Sequence, residues 1–217
     1  MLSWTLLRTF ITRLTRKTGI IVVKLQGLKE LVMSTQAKKD LAFALKTLVQ
    51  TTALDKITID ALATKAQVNR NTFYYHFGDI YDLLRWTLEQ DIISQVQDHL
   101  TAKNWAAKYA IALNYILANK ALCLEALHSH QRDLLETFLF ELGAQMVQSV
   151  VVTIDDDVTP LLAQDLVDFY GSAIASQIIK WLLTDCDTPK DILVSRATAI
   201  LDGTIEFIIN KNKLNLG

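Results

Sequence analysis

The stretch Ile57–Leu84, ITIDALATKAQVNRNTFYYHFGDIYDLL, decides how the rest of the chain is interpreted. Its apolar residues recur at helical spacing, and Thr58, Asn69 and Asp79 are residue types that cap helix starts. We therefore expect two short helices joined by a tight turn at Gln67, followed by a third helix. This turn often holds glycine because φ is positive there, so Gln67 is expected to accept a left-handed backbone at a cost of roughly 1 kcal/mol.

The second of these helices, opened by Asn69, has one apolar side. Val68, Phe73 and Phe77 fit that buried side, since the two phenylalanines are four residues apart. The remaining faces carry side chains suited to a polar partner: Arg70, Asn71, Thr72, Tyr74, Tyr75 and His76. The last three are consecutive, and successive helical positions turn by about 100°, so they cannot all point into one core. Some of them must face outward.

The composition of the whole chain favours helices. Of 217 residues, 51% are hydrophobic, and only seven are glycine and two are proline. A β-sandwich or an α/β fold ordinarily needs more of these turn-forming residues. The two cysteines lack metal-ligand spacing and fit buried thiols in a reducing cytoplasm. No apolar run approaches the roughly 20 residues of a membrane span. We therefore predict an all-α, cytoplasmic protein without a membrane partner.

Charge is distributed unevenly, although the net charge is only −1. Residues 34–80 hold six basic and four acidic residues, whereas the chain beyond residue 80 holds ten basic and eighteen acidic residues. A mildly basic unit followed by an acidic one is typical of a DNA reader with a separate regulatory part.

Residues 1–33 differ from the rest, with six basic residues and one acidic residue. A secretory signal is disfavoured because no continuous apolar region precedes a small-residue cleavage site, and a membrane-surface helix is a weak alternative. The sequence Met33-Ser34-Thr35-Gln36 resembles a bacterial start. We therefore expect the true start at Met33, with 1–33 a non-native segment or a disordered or helical extension. An intact Met1 on the native protein would contradict this expectation.

Residues 36–95 resemble the DNA-binding domain of the TetR/AcrR family of one-component transcriptional regulators. The residues that carry the resemblance are Ile57-Thr58-Ile59, Leu62-Ala63, Ala66-x-Val68-Asn69-Arg70, Thr72-Phe73-Tyr74-x-His76-Phe77 and Tyr81-x-Leu83-Leu84. The segment Asn69–Trp86, NRNTFYYHFGDIYDLLRW, also resembles a subgroup of the family that includes the regulator of dihydroxyacetone kinase genes. Two positions depart from the family pattern: Ile80 stands where many members carry a phosphate-binding Lys, and Gln67 replaces the usual turn Gly.

The resemblance implies a helix-turn-helix, three-helix DNA-binding domain at 34–82 and a helical ligand-binding and dimerisation domain at 83–217. The helix opened by Asn69 would be the recognition helix in the major groove. The DNA-binding residues implied by position are Thr58, Asn69, Arg70, Asn71, Thr72, Tyr74, Tyr75 and His76. Arg70 and Asn71 suit base edges, and Thr72 suits a thymine methyl or a phosphate. Thr58, Tyr74 and His76 would contact phosphates.

Beyond residue 100 the pattern predicts more helices, the last running unbroken from Thr188-Pro189 to about Asn210. The last two helices carry more apolar residues than one core needs, so we expect a homodimer, with a monomer of larger core as the alternative. The stretch 169–183 also resembles the dimerisation helix of the family. Aromatic and polar residues proposed for a ligand pocket are Trp105, Tyr109, Tyr115, Cys123, His128, Phe138, Tyr170 and Gln177, although ordinary packing would also explain each of them.

The predicted function is a sequence-specific DNA-binding transcriptional regulator, a homodimer on a palindromic double-stranded DNA operator, controlled by an unidentified ligand or partner protein at the C-terminal domain. The alternative is a TetR-like co-activator that acts mainly through a protein partner; whether a small molecule alone shifts DNA binding separates the two. An enzyme is not expected, because no catalytic grouping, P-loop or GxGxxG occurs. No cofactor and no metal are expected, and Asp155-Asp156-Asp157 is interpreted as a solvated acidic loop.

Overall fold

A computed structural model describes residues 35–97, 100–201 and 203–216. Within these ranges every regular element is helical, which confirms the all-α prediction. The helices are α1 (35–48), α2 (Ile59–Ala66), α3 (Arg70–His76), α4 (Ile80–Leu88), α5 (Ser94–Gln97), α6 (Trp105–Ala118), α7 (Lys120–His128), α8 (Arg132–Ile154), α9 (Pro160–Leu183), α10 (Lys190–Leu201) and α11 (Thr204–Leu216). The expectations for residues 1–33 fall outside the described residues.

Residues 35–82, called the head below, contain α1–α3 and the start of α4. Each of these helices sends apolar side chains into a shared core: Leu41 and Leu45 from α1, Leu62 from α2 and Phe73 from α3 are all fully buried. Thr58, Asn69 and Asp79 cap α2, α3 and α4 through their side chains, as the sequence predicts. The head is therefore a helix-turn-helix unit with a third supporting helix.

Residues 83–216, called the body below, begin within α4, whose backbone widens into a π-helical segment at Glu89–Ile93 before α5. The two longest helices, α8 and α9, pack along each other and supply much of the body core. Helix α8 is long and apolar enough to cross a membrane, with a mean hydropathy of 1.4. Its buried residues, among them Leu135, Phe138 and Leu142, lie in the protein core.

Two glycines allow α8 and α9 to touch at backbone distance. A Cβ atom on Gly143 would lie 2.8 Å from the carbonyl oxygen of Gly171, and a Cβ on Gly171 would lie 3.0 Å from the backbone nitrogen of Ala144. At Gly143 a side chain would collide with the backbone of α9, whereas at Gly171 a Cβ atom would be tight and would require a small shift of α8.

The prediction of a single helix from Pro189 to Asn210 is wrong. The structure ends α10 at Leu201 and begins α11 at Thr204. Gly203 lies between them with φ at 71°, a left-handed conformation that interrupts a right-handed helix. Apolar residues continue at helical spacing on both sides of this break, so periodicity alone did not reveal it.

The close contact at Gly143 predicts that an alanine there lowers the stability of the protein, although glycine-to-alanine changes in helices usually raise it. Gly→Ala in a helix interior ordinarily stabilises by about 1 kcal/mol, whereas Gly143→Ala should lower the free energy of unfolding by about 1–3 kcal/mol, because the new methyl forces α8 and α9 apart. Urea unfolding followed by circular dichroism measures the change. Gln148→Ala, at an exposed position of the same helix, is the control and should be nearly neutral. An increase in stability for Gly143→Ala would contradict the close crossing.

Candidate nucleic-acid interface

Helix α3 begins at a side-chain cap supplied by Asn69. The Asn69 Oδ1 atom accepts hydrogen bonds from the backbone N–H of Thr72 at 2.7 Å and from the Thr72 hydroxyl at 3.0 Å. The cap satisfies one of the N–H groups that a helix start leaves without an intrahelical partner. It also fixes where the first exposed residues of this seven-residue helix lie.

Two phenylalanines hold α3 against the rest of the head. Phe73 is completely buried and Phe77 is 5% exposed, with ring centroids 5.9 Å apart. The Phe77 ring also contacts Trp86 of α4 edge-on, with centroids 5.9 Å apart. Phe73 and Phe77 thus occupy the buried side predicted for them, and the rest of α3 is free to present polar groups.

The opposite side of α3 faces solvent. Tyr75 is 81% exposed and Tyr74 is 48% exposed. Asn69, Arg70 and Asn71 are also exposed, whereas Thr72 and His76 are half-buried. All the residues predicted to contact DNA on α3 therefore keep some accessible surface, whereas Phe73 and Phe77 are buried.

Arg70 is already paired within the head. Its guanidinium donates to both carboxylate oxygens of Asp60 on α2, at 3.2 and 3.1 Å, and to the Tyr74 hydroxyl at 3.3 Å. These neighbours raise the pKa of Arg70, the Tyr74 hydrogen bond first and the Asp60 charge next. The sequence reasoning missed Asp60, because it lies ten residues away on another helix and no spacing rule connects such a pair.

The surroundings of the His76 imidazole disfavour its protonation. Burial lowers its pKa below the usual 6.5, and the positive charge of Lys38 on α1 lowers it further. The Lys38 ammonium lies 5.9 Å from the Phe77 ring centre and 5.8 Å from that of Trp86. Both effects lower the pKa of His76 in the free protein, and either protonation state of the ring can donate a hydrogen bond to a phosphate oxygen.

The turn between α2 and α3 has the predicted left-handed residue. Gln67 has φ 56° and ψ 35°, and the backbone N–H of Val68 donates to the carbonyl of Ala63 at 3.0 Å, which closes α2. At the other end of α2, the Thr58 hydroxyl oxygen accepts from the Ala61 N–H at 3.1 Å. Thr58 is exposed, so its hydroxyl hydrogen remains available to a partner from outside.

The head is joined to the body by a cluster of polar groups that we call the junction: Lys46, Asp91 and Tyr115. Asp91 lies in the π-helical segment and pairs with Lys46 of α1. The Tyr115 hydroxyl of α6 donates to the same carboxylate at 2.9 Å, and the Lys46 ammonium lies 5.6 Å from the centre of the Tyr115 ring. One carboxylate thus contacts an element of the head and an element of the body.

A second link runs through Asp55, just after α1. Its carboxylate accepts from the Tyr81 hydroxyl at 2.6 Å and from the backbone N–H of His130, which precedes α8, at 3.1 Å. The Tyr81 hydrogen bond is the largest cause that lowers the pKa of Asp55, and it raises the pKa of Tyr81 to about 12. The Glu125 side chain of α7 also accepts from the Leu54 N–H at 3.1 Å.

The structure separates the residues proposed for a ligand pocket. Trp105 and Tyr170 line one cavity of about 1020 Å³ in the body. Tyr109 is fully buried and donates to Gln177 at 2.6 Å, away from that cavity. Phe138 packs in the core with 1% exposure and His128 is exposed on the surface, while Tyr115 belongs to the junction. Cys123 is buried, and burial raises the pKa of its thiol to about 12.

The acidic loop after α8 brings three carboxylates together. Oxygen atoms of Asp155, Asp156 and Asp157 lie within 4.8 Å of one another. The Lys213 ammonium of α11 pairs with Asp155 at 2.6 Å, and the backbone N–H of Asp157 donates to the same side chain at 3.0 Å. Lysine already neutralises part of this charge, and the two remaining acids are exposed.

Two protein-family models match this chain, one mainly in the head and one in the body. Residues 44–85 match the family model of bacterial regulatory proteins of the tetR family, and residues 103–203 match that of a transcriptional regulator C-terminal region of the same family. Over 83 residues the chain is 29% identical to the HTH-type dhaKLM operon transcriptional activator DhaS of Lactococcus lactis subsp. lactis (strain IL1403). That match spans 38% of this chain and 44% of the relative, less than half of its length.

A solved structure titled dihydroxyacetone kinase operon activator DhaS has the same fold. It covers 79% of this chain and 97% of its own, with a TM-score of 0.65 and 19% sequence identity. The helix-turn-helix geometry, the two family matches and this fold agree with one another, and they concern transcription regulators rather than enzymes. This chain belongs to the TetR family of transcriptional regulators.

Proposed function

We propose that the protein binds a specific palindromic DNA operator as a homodimer, with residues 34–82 for DNA binding and residues 83–217 for dimerisation and regulation. The observation that carries the proposal is the set of accessible polar side chains on α3, a helix held to the head by the buried Phe73 and Phe77. A helix presented in this way can enter the major groove of B-DNA, which is about 12 Å wide. Such a regulator works on DNA in the cytoplasm.

Arg70 and Asn71 are the residues we assign to base edges. Arginine donates two hydrogen bonds to guanine O6 and N7, and asparagine pairs similarly with adenine. Arg70 has to exchange Asp60 for the base, since both Asp60 oxygens accept from it in the free protein. Because Asp60 is itself exposed, that exchange costs little desolvation.

The remaining residues are assigned by the hydrogen-bonding capacity they have left. The Thr72 hydroxyl donates to Asn69, so its methyl is the group suited to thymine. The Asn69 oxygen is occupied by Thr72, which leaves its NH₂ group to donate to DNA. Thr58, Tyr74 and His76 suit phosphate oxygens as hydrogen-bond donors, and the highly exposed Tyr75 adds contact surface.

The proposal predicts a loss of base preference in Arg70→Ala. When bound duplexes are selected from random DNA, the full wild-type chain should yield a base-sequence motif. The Arg70→Ala variant should lose the base preference at one base pair in each half-site of that motif. The expected loss is about 10- to 100-fold discrimination, because one bidentate contact disappears. Arg70→Lys should lose most of the same preference, since lysine keeps the charge without the planar fork.

Lys65→Ala is the matched control for charge. Lys65 is an exposed cation near the end of α2 but lies outside the proposed reading surface. Its removal should change overall affinity slightly and leave the selected motif intact. An unchanged motif for Arg70→Ala would remove Arg70 from base recognition, and no enrichment with the wild-type chain would contradict the proposed function.

We assign the dimer interface to the exposed face of α9. Leu161 is 74% exposed, Phe169 72% and Leu183 54%, spaced along one helix of the body. Between them lie three small exposed residues, Ser172, Ala173 and Ser176, which would let a second helix approach closely. A row of large apolar groups with small residues at its centre fits a second copy of the same surface, and two-fold pairing also fits a palindromic operator.

Phe169→Glu should convert the dimer into a monomer at micromolar concentration, because it buries a charge without a counter-ion in an apolar interface on both copies. Sedimentation equilibrium gives the mass directly. Phe43→Glu is the control, since Phe43 is 68% exposed on α1 of the head and should leave the mass unchanged. A wild-type monomer, or a dimer in Phe169→Glu, would contradict the assigned face.

Control of DNA binding by an effector, either a ligand or a partner protein, would act through the junction. A change in the position of α6 would reach α1 through Tyr115, Asp91 and Lys46, and so alter the spacing of the two heads on DNA. Asp91 of this junction lies in the π-helical segment Glu89–Ile93. Interruptions of this kind in an α-helix are frequent at functional sites.

A further inference from the structure

Asp60 is an exposed carboxylate beside the residues assigned to base edges, and the assignments above give it no contact with DNA. It lies in the first turn of α2, and its side chain is 69% exposed. Both of its oxygens accept hydrogen bonds from the Nη1 atom of Arg70, at 3.2 and 3.1 Å. Asp60 therefore reaches the side chain that we assign to guanine, although the two residues belong to different helices.

The exchange proposed for Arg70 leaves Asp60 without a hydrogen-bond donor. Within the part of the chain that the structure describes, the hydrogen bonds that Asp60 accepts come from Arg70. When Arg70 turns to guanine, both Asp60 oxygens lose this partner at a surface that faces negatively charged phosphates. A carboxylate in this place disfavours every DNA sequence that offers it no donor, and a penalty of this kind is a source of specificity.

The chemistry of the base edges selects cytosine as the partner of this carboxylate. In the major groove cytosine presents its N4 amino donor, whereas guanine presents only acceptors and thymine presents an acceptor and a methyl group. Adenine offers an amino group, but its N7 acceptor lies beside it. An ionised carboxylate can only accept, so guanine, thymine and the N7 atom of adenine all repel it. Cytosine is therefore the base whose edge suits Asp60.

The spacing of the two side chains matches neighbouring base pairs. The Asp60 oxygens lie 3.1 and 3.2 Å from Nη1 of Arg70. Stacked bases of one DNA strand are about 3.4 Å apart. A base donor that replaces Arg70 as the partner of Asp60 thus lies about one base pair away from the guanine.

We propose that Asp60 is a second base-reading residue, which accepts a hydrogen bond from the N4 amino group of a cytosine in the base pair next to the guanine contacted by Arg70. The two residues together read a step of two base pairs, with Arg70 as the donor and Asp60 as the acceptor. This inference rests on the proposed function, because it requires α3 to lie in the major groove.

The test uses the full chain and the duplex motif that it selects from random DNA. The motif should contain a cytosine, on either strand, in the base pair next to the guanine whose selection depends on Arg70. N4-methylcytosine at this position keeps the pair with guanine and places a methyl group where the major-groove N–H was. It should weaken binding by the wild-type chain about tenfold, because one hydrogen bond to a carboxylate is lost. Binding by Asp60→Ala should not respond to the methyl group.

Asp60→Asn separates base reading from simple support of Arg70. Asparagine pairs with N6 and N7 of adenine, so selection with this variant should change the preferred base from cytosine to adenine and keep the neighbouring guanine. Asp40→Ala is the matched control, since it removes a carboxylate from α1 of the same head, where Asp40 accepts from Gln36. This control should select the wild-type motif.

Equal weakening of the wild-type chain and Asp60→Ala by the methyl group would overturn the assignment of Asp60 and leave the operator in place. An unchanged cytosine preference in both Asp60 variants would do the same. Loss of the guanine preference alone would show that Asp60 only supports Arg70, and this result also contradicts base reading. Failure of the wild-type chain to select any motif would overturn the proposed function, and the assignment of Asp60 with it.

Discussion

The burial of Phe73 is the contact on which the recognition surface depends. Helix α3 has only seven residues, and a helix of that length is not stable alone in water. The completely buried ring fixes α3 to the head, and Phe77 fixes its last turn. Burying a phenylalanine side chain contributes about 1.5–3 kcal/mol, more than the cap or any single surface pair offers. With these rings buried, Arg70 and Asn71 in the first turn of α3 remain exposed.

Polar groups that are only partly buried add to the continuous apolar core between head and body. Asp91 pairs with Lys46 and accepts from Tyr115, and Asp55 accepts from Tyr81 and from the backbone of His130. Side chains in such places contribute modest energies, since water and salt compete for them. A free-energy change of a few kcal/mol is enough to rearrange polar contacts of this kind. Ligand binding shifts conformational equilibria by free energies on the same scale. The cavity lies on the other side of the body core, against the long helices α8 and α9.

The sequence predicts most of the head, because its determinants are local. Thr58, Asn69 and Asp79 cap the helices they precede, and Gln67 adopts the left-handed turn, all within a few residues of their partners. Two features were missed. The Arg70–Asp60 pair joins two helices, and the break at Gly203 interrupts an apolar pattern that continues beyond it. Of the residues proposed for the pocket, only Trp105 and Tyr170 line one cavity, since side-chain type does not reveal which aromatic groups meet in space.

The claim that the outer side of α3 reads the major groove is tested most directly by dimethyl sulfate protection on a duplex bound by the full chain. This reagent methylates guanine N7 in the major groove and adenine N3 in the minor groove. Protection of guanine N7 in two tracts about one helical turn apart, with adenine N3 still reactive, is the result expected from two recognition helices related by two-fold symmetry. Protection of adenine N3 alone, or of neither position, would contradict it.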